Sequence, residues 1–371
     1  MRPSFSHLQP DKSRLSPTSP AEPNDIEKQS PPLHSSNPTA GRPSALPAAF
    51  TSLYYFVHTF YSARFTLHDV EHTPDFLRTP YILTHYRVLF SFPLATRSLF
   101  HLHNETINVW THGLGALYLL YLSYCTVGSG GLLSTVDGSD WLDYVLFSVF
   151  HWSAVACFSA SALYHWYGCM SVQSHSCLYI GDMSAIGLLI LGSYVPGLYY
   201  AFYCRPAFQL LYIVTIVSLV SLYFLLYQCN HCHATPPATT HPTHRPDTHL
   251  TTAHSTSARQ HSHWLRVLLL VSLVAFAVVP AIHFVAIVGS DHPRLAVWQV
   301  LWPLVAMLGL YGCGFVFYVS HFPERWYGRR FDVWLSSHQF WHCLIVAAVR
   351  VWHYNLVQVF EYKPLAQCGG N

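Results

Sequence analysis

The sequence has little charge. Asp, Glu, Lys and Arg make up 10% of its 371 residues, and the formal net charge at pH 7 is only +2 with His neutral. The basic residues are spread along the chain, whereas a nucleic-acid-binding protein carries a concentrated basic face. We therefore expect no nucleic-acid partner.

The chain also lacks the signs of a secreted, disulfide-rich domain. Ten cysteines in so long a chain do not form a disulfide framework. Cys125, Cys157, Cys313 and Cys343 fall inside apolar runs, where we expect small buried hydrophobic residues. The first apolar stretch comes far from the start, so no N-terminal signal peptide is expected, and insertion would depend on the first membrane helix.

Two segments precede the apolar part of the chain. Residues 1–48 are rich in Pro, Ser and charge and lack apolar periodicity, which predicts a disordered leader. Residues 49–106 mix aromatic residues, Arg and His with turn residues such as Pro74 and Pro80. This mixture predicts one or two short helices that lie on the cytosolic surface of a membrane.

Hydrophobic residues make up 51% of the chain, and they form seven runs of about 20 residues, each long enough to cross a hydrocarbon core of about 30 Å. The sequence therefore predicts an all-α integral membrane protein with a seven-helix bundle over residues 107–355 and a short tail over 356–371. Prolines inside three runs are compatible with this, because membrane helices tolerate kinks. The runs are Ile107 to Val127, Trp141 to His165, Leu178 to Tyr203, Ala207 to Gln228, Trp264 to Gly289, Leu295 to Ser320 and Val333 to Tyr354.

Lys and Arg in the connections predict the orientation, since they are enriched on the cytosolic side. A cytosolic N-terminus places seven arginines inside and three basic residues outside, and the C-terminus is then extracytosolic or luminal. This orientation is opposite to that of G-protein-coupled receptors. The inside set is Arg87, Arg97, Arg245, Arg259, Arg325, Arg329 and Arg330, and the outside set is Arg205, Arg294 and Lys363.

A His-, Thr- and Pro-rich insert occupies residues 229–263, between the fourth and fifth runs. Its Cys229 to His233 tract has residue types that bind metals. The surrounding Thr-Pro repeats favour a flexible cytosolic loop instead, because nothing in them fixes ligand geometry.

The apolar runs contain a few ionisable residues, which hydrocarbon makes costly unless they have a partner. His338 and His342 are four residues apart and share one helix face, as do Ser161 and His165. With the predicted topology, His165, Asp182 and the two C-terminal histidines all lie toward the cytosolic side.

Three neutral imidazoles with one open position suit a catalytic zinc ion, and Asp182 would orient its water or accept the water's proton. The alternative is a set of packed, hydrogen-bonded histidines, since the chain has 26 His in all. Spacing alone does not decide between these two interpretations.

A second polar stripe begins the first run, where Glu105, Asn108 and His112 recur at helical spacing. The stripe predicts a packed polar network in preference to direct catalysis, with Asn104 as a helix N-cap and Glu105 in the first turn. Asn104-Glu105-Thr106 also matches a glycosylation sequon, but the predicted orientation places it on the cytosolic side.

Together these motifs resemble the progestin and adipoQ receptor family over about Thr79 to Asn355. The resemblance rests on Asn104-Glu105-Thr106-x-Asn108-x-Trp110-x-His112, Ser161-x-x-x-His165, Asp182 with the following Gly-Ser-Tyr-Val-Pro, and Ser337-His338-Gln339-x-x-His342. Within that family, Thr79 to Arg87, Ser98 to Phe100 and Tyr200 to Cys204 look most like the Golgi-resident member that tethers Raf kinase.

The resemblance implies a buried zinc ion with His165, His338 and His342 as ligands, Asp182 holding the zinc water and Ser161 nearby. In adiponectin receptors this site is associated with hydrolysis of ceramide amides. The implied ligands are membrane lipids, of the ceramide or sterol type, and the implied compartment is the Golgi or the plasma membrane.

Three functions follow as expectations. The first is a zinc-binding signalling receptor or regulator, which the resemblance favours. The second is an intramembrane zinc hydrolase of a lipid amide, with Asp182 and Ser161 as catalytic residues. The third is a membrane anchor that captures a cytosolic kinase or another signalling protein through residues 1–103.

Overall fold

The computed structural model describes residues 48–232, 265, 267–288, 298, 300–361 and 363. The predicted disordered leader, most of the His-rich insert and most of the C-terminal tail lie outside these residues. Within the described part, the regular structure is helical apart from one isolated antiparallel bridge between His68 and Tyr86. The all-α prediction is confirmed.

In the part of the chain that the structure describes, seven helices are long and apolar enough to cross a membrane, as predicted. We call them the first to seventh spans. The third begins at Val172 rather than at Leu178, and the seventh covers Ser337–Glu361 rather than residues 333–354. Their polar end turns were missed because the prediction followed apolar runs. The spans are Thr106–Thr135, Trp141–Tyr167, Val172–Ala201, Pro206–Leu226, Val267–Ile287, Trp302–Ser320 and Ser337–Glu361; the underlying helices include Thr106–Val127, Leu132–Thr135 and Pro206–Cys232.

Local sequence explains where several spans begin. Asp140 caps the second span, and its carboxylate accepts hydrogen bonds from the backbone N–H groups of Leu142 and Asp143. The Asp143 carboxylate in turn accepts from the backbone N–H of Asp140, which completes a capping box. Ser171 caps the third span by accepting from the backbone N–H of Ser174.

The three intramembrane prolines act differently. Pro196 lies inside the continuous third span. Pro303 lies in the first turn of the sixth span, where its missing N–H costs no hydrogen bond. In the fifth span the helix is interrupted by a turn at residues 276–277 and resumes at Val278–Val288. Pro280 accounts for this break, since its ring collides with the carbonyl four residues earlier in a regular helix.

The second and seventh spans form the centre of the bundle. The second packs against the first and third, and the seventh packs against the first, third and sixth. Phe147, Phe150 and Phe158 of the second span are fully buried in the bundle. The result is that residues from the first, second, third and seventh spans meet inside the protein.

The expectation that four cysteines would be buried holds for Cys157 and is wrong for Cys125, Cys313 and Cys343, which are exposed. An apolar run in a membrane protein faces lipid on one side and protein on the other. Apolarity therefore does not indicate which side a residue occupies.

The N-terminal segment contains two short helices, Ala48–Ser62 and Phe92–Ser98, as predicted, and two turns of 3-10 helix at Val70–His72 and Asp75–Leu77. Arg97 joins the two helices, because its guanidinium donates to the backbone carbonyls of Phe60 and Ala63. Location of this segment on the cytosolic membrane surface stays a prediction.

Candidate metal centre

Three histidines meet where the second and seventh spans come together. One ring nitrogen each of His165, His338 and His342 lies within 4.8 Å of the other two. The Nε2 atom of His338 is 3.3 Å from Nε2 of His165 and 3.1 Å from Nε2 of His342. All three side chains are buried or half-buried. The triad could hold a metal ion.

The spacing of these atoms is compatible with a shared metal ion as well as with mutual hydrogen bonds. Two ligand nitrogens bound at 2.0–2.1 Å to one tetrahedral ion are about 3.3 Å apart, which is close to the separations in the triad. A neutral imidazole has one N–H and one acceptor nitrogen. Three acceptor nitrogens that face one another repel unless a cation or a proton lies between them.

Glu105, just before the first span, determines which nitrogen of His165 carries the proton. Its Oε2 atom is 2.8 Å from Nδ1 of His165. A carboxylate accepts hydrogen bonds, so Nδ1 is the protonated nitrogen. The lone pair of Nε2 then points toward His338 and is available to a metal.

The same carboxylate also accepts a hydrogen bond of 2.6 Å from the Asn108 side chain. Burial by itself raises the pKa of the Glu105 carboxyl, but the imidazole of His165 and the hydrogen bonds from His165 and Asn108 hold that pKa well below its usual range. Glu105 is therefore a carboxylate in the folded protein. Of the polar network predicted from the spacing of residues 105, 108 and 112, the structure shows the bond between Glu105 and Asn108, whereas His112 joins by ring stacking and its nitrogens have no hydrogen-bond partner.

His112 and Thr111 contact the triad from the first span. The ring of His112 stacks on the ring of His342, with centroids 3.7 Å apart and planes 10° from parallel. Thr111 Oγ1 lies 3.4 Å from Nδ1 of His342. These contacts restrict rotation of the His342 ring.

Two charged groups fix the helix ends that carry the ligands. The Arg87 guanidinium donates to the backbone carbonyls of His165 and Trp166, at 2.6 and 2.9 Å, where the second span ends. Glu324 accepts from the backbone N–H of Ser337 at 2.8 Å and from its hydroxyl, where the seventh span begins. Arg87 and Glu324 are each 3% exposed, so both act from inside the protein.

Asp182 and Ser161, the two predicted catalytic residues, lie beside the triad but are not members of it. Ser161 and Asp182 line the same cavity as the three histidines. Both side chains are buried. Their grouping matches the predicted set, while their chemical roles stay predictions.

A cavity of about 1000 Å³ reaches the triad. Polar and ionisable residues, including Glu105, Ser161 and Asp182, line one part of it. Apolar side chains of the third, fifth, sixth and seventh spans, such as Leu189 and Met307, line the remainder. Its volume is at the upper end of the range for small-molecule sites.

A second histidine pair shows what a purely structural arrangement looks like. His151 and His353 face each other with Nε2 and Nδ1 3.1 Å apart, and both are buried. Two rings can share one N–H in a single hydrogen bond, which accounts for this contact without a metal, although Nδ1 of His151 has no hydrogen-bond partner. The triad differs from this pair in two respects: three ring nitrogens converge, and the Glu105 carboxylate accepts a hydrogen bond from one of the rings.

Sequence reasoning brought together the three histidines, Asp182 and Ser161, and the structure places them in one region. It missed the bond from His165 to Glu105, although the stripe that contains Glu105 was recognised. It also proposed Asn104 as the N-cap of the first span, which is wrong. Glu105 occupies the cap position and makes no side-chain capping bond, because its carboxylate binds His165.

Comparison with known proteins agrees with this geometry. The family described as haemolysin-III related matches residues 100–354, which include the triad, Glu105 and all seven spans except the end of the last. The chain belongs to this family.

Several relatives of this family member carry receptor names. "Progestin and adipoQ receptor family member 3" from Mus musculus is 29% identical over 312 residues, covering 81% of this chain and 88% of the relative. The "Adiponectin receptor protein" of Drosophila melanogaster is 28% identical, covering 74% of this chain and 55% of that longer relative. "Heptahelical transmembrane protein 3" of Arabidopsis thaliana is 27% identical, covering 74% and 82%. The chain is an integral multi-pass membrane protein of the progestin and adipoQ receptor type.

Proposed function

We propose that this protein is a zinc-binding membrane receptor or signalling regulator whose ligand is a lipid held in the bundle cavity. The observation that carries the proposal is the convergence of three histidine nitrogens on the wall of a cavity that apolar side chains line over much of its surface. The receptor role is proposed because relatives that align with most of this chain are named as receptors. The ligand class follows the chemistry of the cavity.

Zinc is the ion that the donor set fits best. Zinc takes imidazole nitrogens in tetrahedral geometry, and sites with three protein ligands leave a fourth position open. His165, His338 and His342 would hold it, with Glu105 behind His165. Because His165 lies on the second span and the other two lie on the seventh, the bound ion would also clamp these spans together.

The lipid ligand would place a polar group near the triad and its hydrocarbon among the apolar residues of the cavity. Candidate ligands are ceramides and sterols, which combine a small polar group with a large apolar body. A cavity that is apolar apart from one polar end selects such amphiphiles, because any second charged group would be buried without a partner.

Two adjacent leucines allow a matched test of ligand binding. Leu189 is buried and lines the cavity, whereas Leu188 is exposed on the outer face of the same span. We expect Leu189→Trp to reduce photo-crosslinking of a ceramide or sterol probe to the full-length protein in nanodiscs. Leu188→Trp should leave the labelling unchanged. Equal labelling of both variants and wild type would contradict the proposal that the lipid binds in the cavity.

The proposed orientation keeps the N-terminus in the cytosol. Cys204, in the connection after the third span, is disulfide-bonded, and disulfides form in oxidising compartments. In the predicted topology this connection is extracytosolic or luminal, so the bond supports that orientation. Intact cells and inside-out Golgi vesicles both expose the extracytosolic or luminal side of the protein to the medium. In either preparation, a membrane-impermeant thiol reagent should label Cys204 only after the disulfide has been reduced by a reagent in the medium.

Hydrolysis of a lipid amide is a second candidate, favoured by the buried Asp182 side chain in the same cavity as the triad. Zinc, when bound, supplies a Lewis acid that polarises an amide carbonyl and makes water more acidic. Asp182 would accept the proton of the attacking water and return it to the leaving amine. Ser161, which lines the same cavity, would help to orient the carboxylate.

The two candidates differ in what Asp182 does. If the site is catalytic, Asp182→Ala should abolish turnover of a ceramide amide by the purified protein while the fold and the bound zinc are retained. If the site is a receptor site, ligand binding should persist in the variant. Turnover unchanged from wild type would exclude the enzymatic mechanism.

Capture of a kinase or another signalling protein through residues 1–103 remains a third, separate proposal. Deletion of these residues should release such a partner and leave the metal bound if the two functions are independent. Golgi or plasma membrane residence is likewise an expectation that fractionation of cells expressing the tagged chain would test.

A further inference from the structure

We infer that Glu105 is a positioning residue for the metal centre, one that accepts the Nδ1–H of His165 and so orients the ring with its Nε2 atom toward the other two ligands. This inference rests on the proposed zinc site and deepens it. Glu105 lies just before the first span, which contributes none of the three ligands in the triad. Its role therefore depends on a contact between different parts of the bundle.

The three ligands are not equally constrained by the helices that carry them. His338 and His342 are four residues apart on one helix, so the backbone itself places their rings on a common face. His165 comes from another span, and its ring must be oriented by tertiary contacts. Arg87 fixes the His165 carbonyl, and Glu105 fixes the ring.

The Glu105 carboxylate is itself held in place before it meets His165. Asn108, one helical turn further along, donates to Oε2 at 2.6 Å. Asn104 lies 3.4 Å from Oε1 on the other side. The backbone N–H of Glu105 donates to Nδ1 of His103 at 3.1 Å. The acceptor for His165 is thus prearranged and loses little freedom when the hydrogen bond forms.

The chemical consequence is selection of one imidazole tautomer. A free histidine exchanges its proton between the two nitrogens, and only the tautomer with an unprotonated Nε2 binds a metal in this geometry. The hydrogen bond from Nδ1 to a carboxylate fixes that tautomer and raises the basicity of the ligand. Loss of such a partner commonly lowers metal affinity 10- to 100-fold.

Two substitutions separate positioning from charge. Glu105→Ala removes the acceptor, and we expect zinc affinity of the full-length protein, measured by competition with a chelator, to fall about 10- to 100-fold. Glu105→Gln keeps an acceptor oxygen where Oε2 lies but removes the negative charge. We expect the Gln variant to lose less affinity than the Ala variant.

Asp143 provides a matched control, since it is a buried carboxylate on the same span as His165. It lies near the other end of that span, about 33 Å away along the helix. Asp143→Asn should leave zinc affinity unchanged even if it lowers thermal stability. If Glu105→Ala fails to fold, the visible absorption of Co²⁺ bound to the Gln variant serves instead, with a shifted d–d band expected.

The outcomes are distinct. Wild-type protein that binds no zinc overturns the proposed function itself. Wild-type protein that binds zinc, with unchanged affinity in Glu105→Ala or an unshifted Co²⁺ spectrum in Glu105→Gln, overturns the role of Glu105 alone. Loss of zinc in Glu105→Gln as complete as in His165→Ala would make Glu105 a metal ligand and contradict positioning.

Discussion

The hydroxyl of Thr84 donates a hydrogen bond of 2.7 Å to Oδ2 of Asp332, and the backbone N–H of Leu83 donates to the same oxygen at 3.1 Å. Thr84 belongs to the segment before the first span, and Asp332 belongs to the loop before the seventh. Both side chains are buried. The pair joins the N-terminal segment to the loop that leads into the ligand-bearing helix.

Thr84→Val keeps the shape of the side chain and removes the donor. Because the acceptor is a buried carboxylate, we expect a loss of about 1.5–3 kcal/mol in the free energy of unfolding. Thermal unfolding of detergent-solubilised protein would measure it. Thr135→Val is the control, since its hydroxyl donates within an exposed turn and the change should be within about 0.5 kcal/mol. A similar effect of both substitutions would contradict the importance of the buried pair.

Close approach of the second and third spans depends on Gly192. A Cβ atom at this position would lie 2.1 Å from Oγ and 2.6 Å from Cβ of Ser153. Gly192→Ala should therefore force the spans apart and destabilise the bundle by about 1–3 kcal/mol. A Cβ atom at Gly309, on the sixth span, would have nothing within 4 Å, and Gly309→Ala should be neutral or slightly stabilising. Equal melting temperatures for the two alanine variants would be inconsistent with this packing.

His103 predicts a dependence of stability on pH. Burial, with a smaller contribution from Arg87, lowers its pKa to about 2, and its Nδ1 accepts the backbone N–H of Glu105. The unfolded chain binds a proton at His103 below its ordinary pKa of about 6.5. The contribution of His103 to the free energy of unfolding is therefore fully present above that pH. It is lost as the pH falls toward the pKa of His103 in the folded protein.

His103→Asn keeps an acceptor for the Glu105 N–H and removes the titrating group. Between pH 7.5 and pH 5 we expect the melting temperature of this variant to fall less than that of wild type. His58, which is exposed near the N-terminal end of the described chain, supplies the comparison. His58→Asn should leave the pH profile as in wild type, and a parallel profile for His103→Asn would rule out this source of acid sensitivity.

The sequence predicted the seven spans because each apolar run is longer than a soluble helix needs. It also predicted the members of the candidate site, because spacing along a helix relates Ser161 to His165 and His338 to His342. Span order then placed the two pairs at one end of the bundle. Periodicity and connectivity brought these residues together, whereas their assignment as zinc ligands came from the resemblance to the family.

Contacts that depend on how each helix is rotated about its axis were beyond sequence reasoning. The bond between Glu105 and His165 joins the start of the first span to the second, and the stacking of His112 on His342 joins the first span to the seventh. The apolar faces of these helices contact lipid as well as protein, so hydrophobic pattern alone does not define the rotation. For the same reason Cys125 was expected inside the bundle and lies on its outside.

Metal analysis of the purified full-length protein tests the central claim most directly. The account predicts one zinc ion per chain in wild type and its loss in His342→Ala. It also predicts retention of the ion in His353→Ala, which removes a buried histidine of the same span outside the triad. Equal zinc content in wild type and His342→Ala, or a wild-type protein free of zinc after purification without chelators, would contradict it.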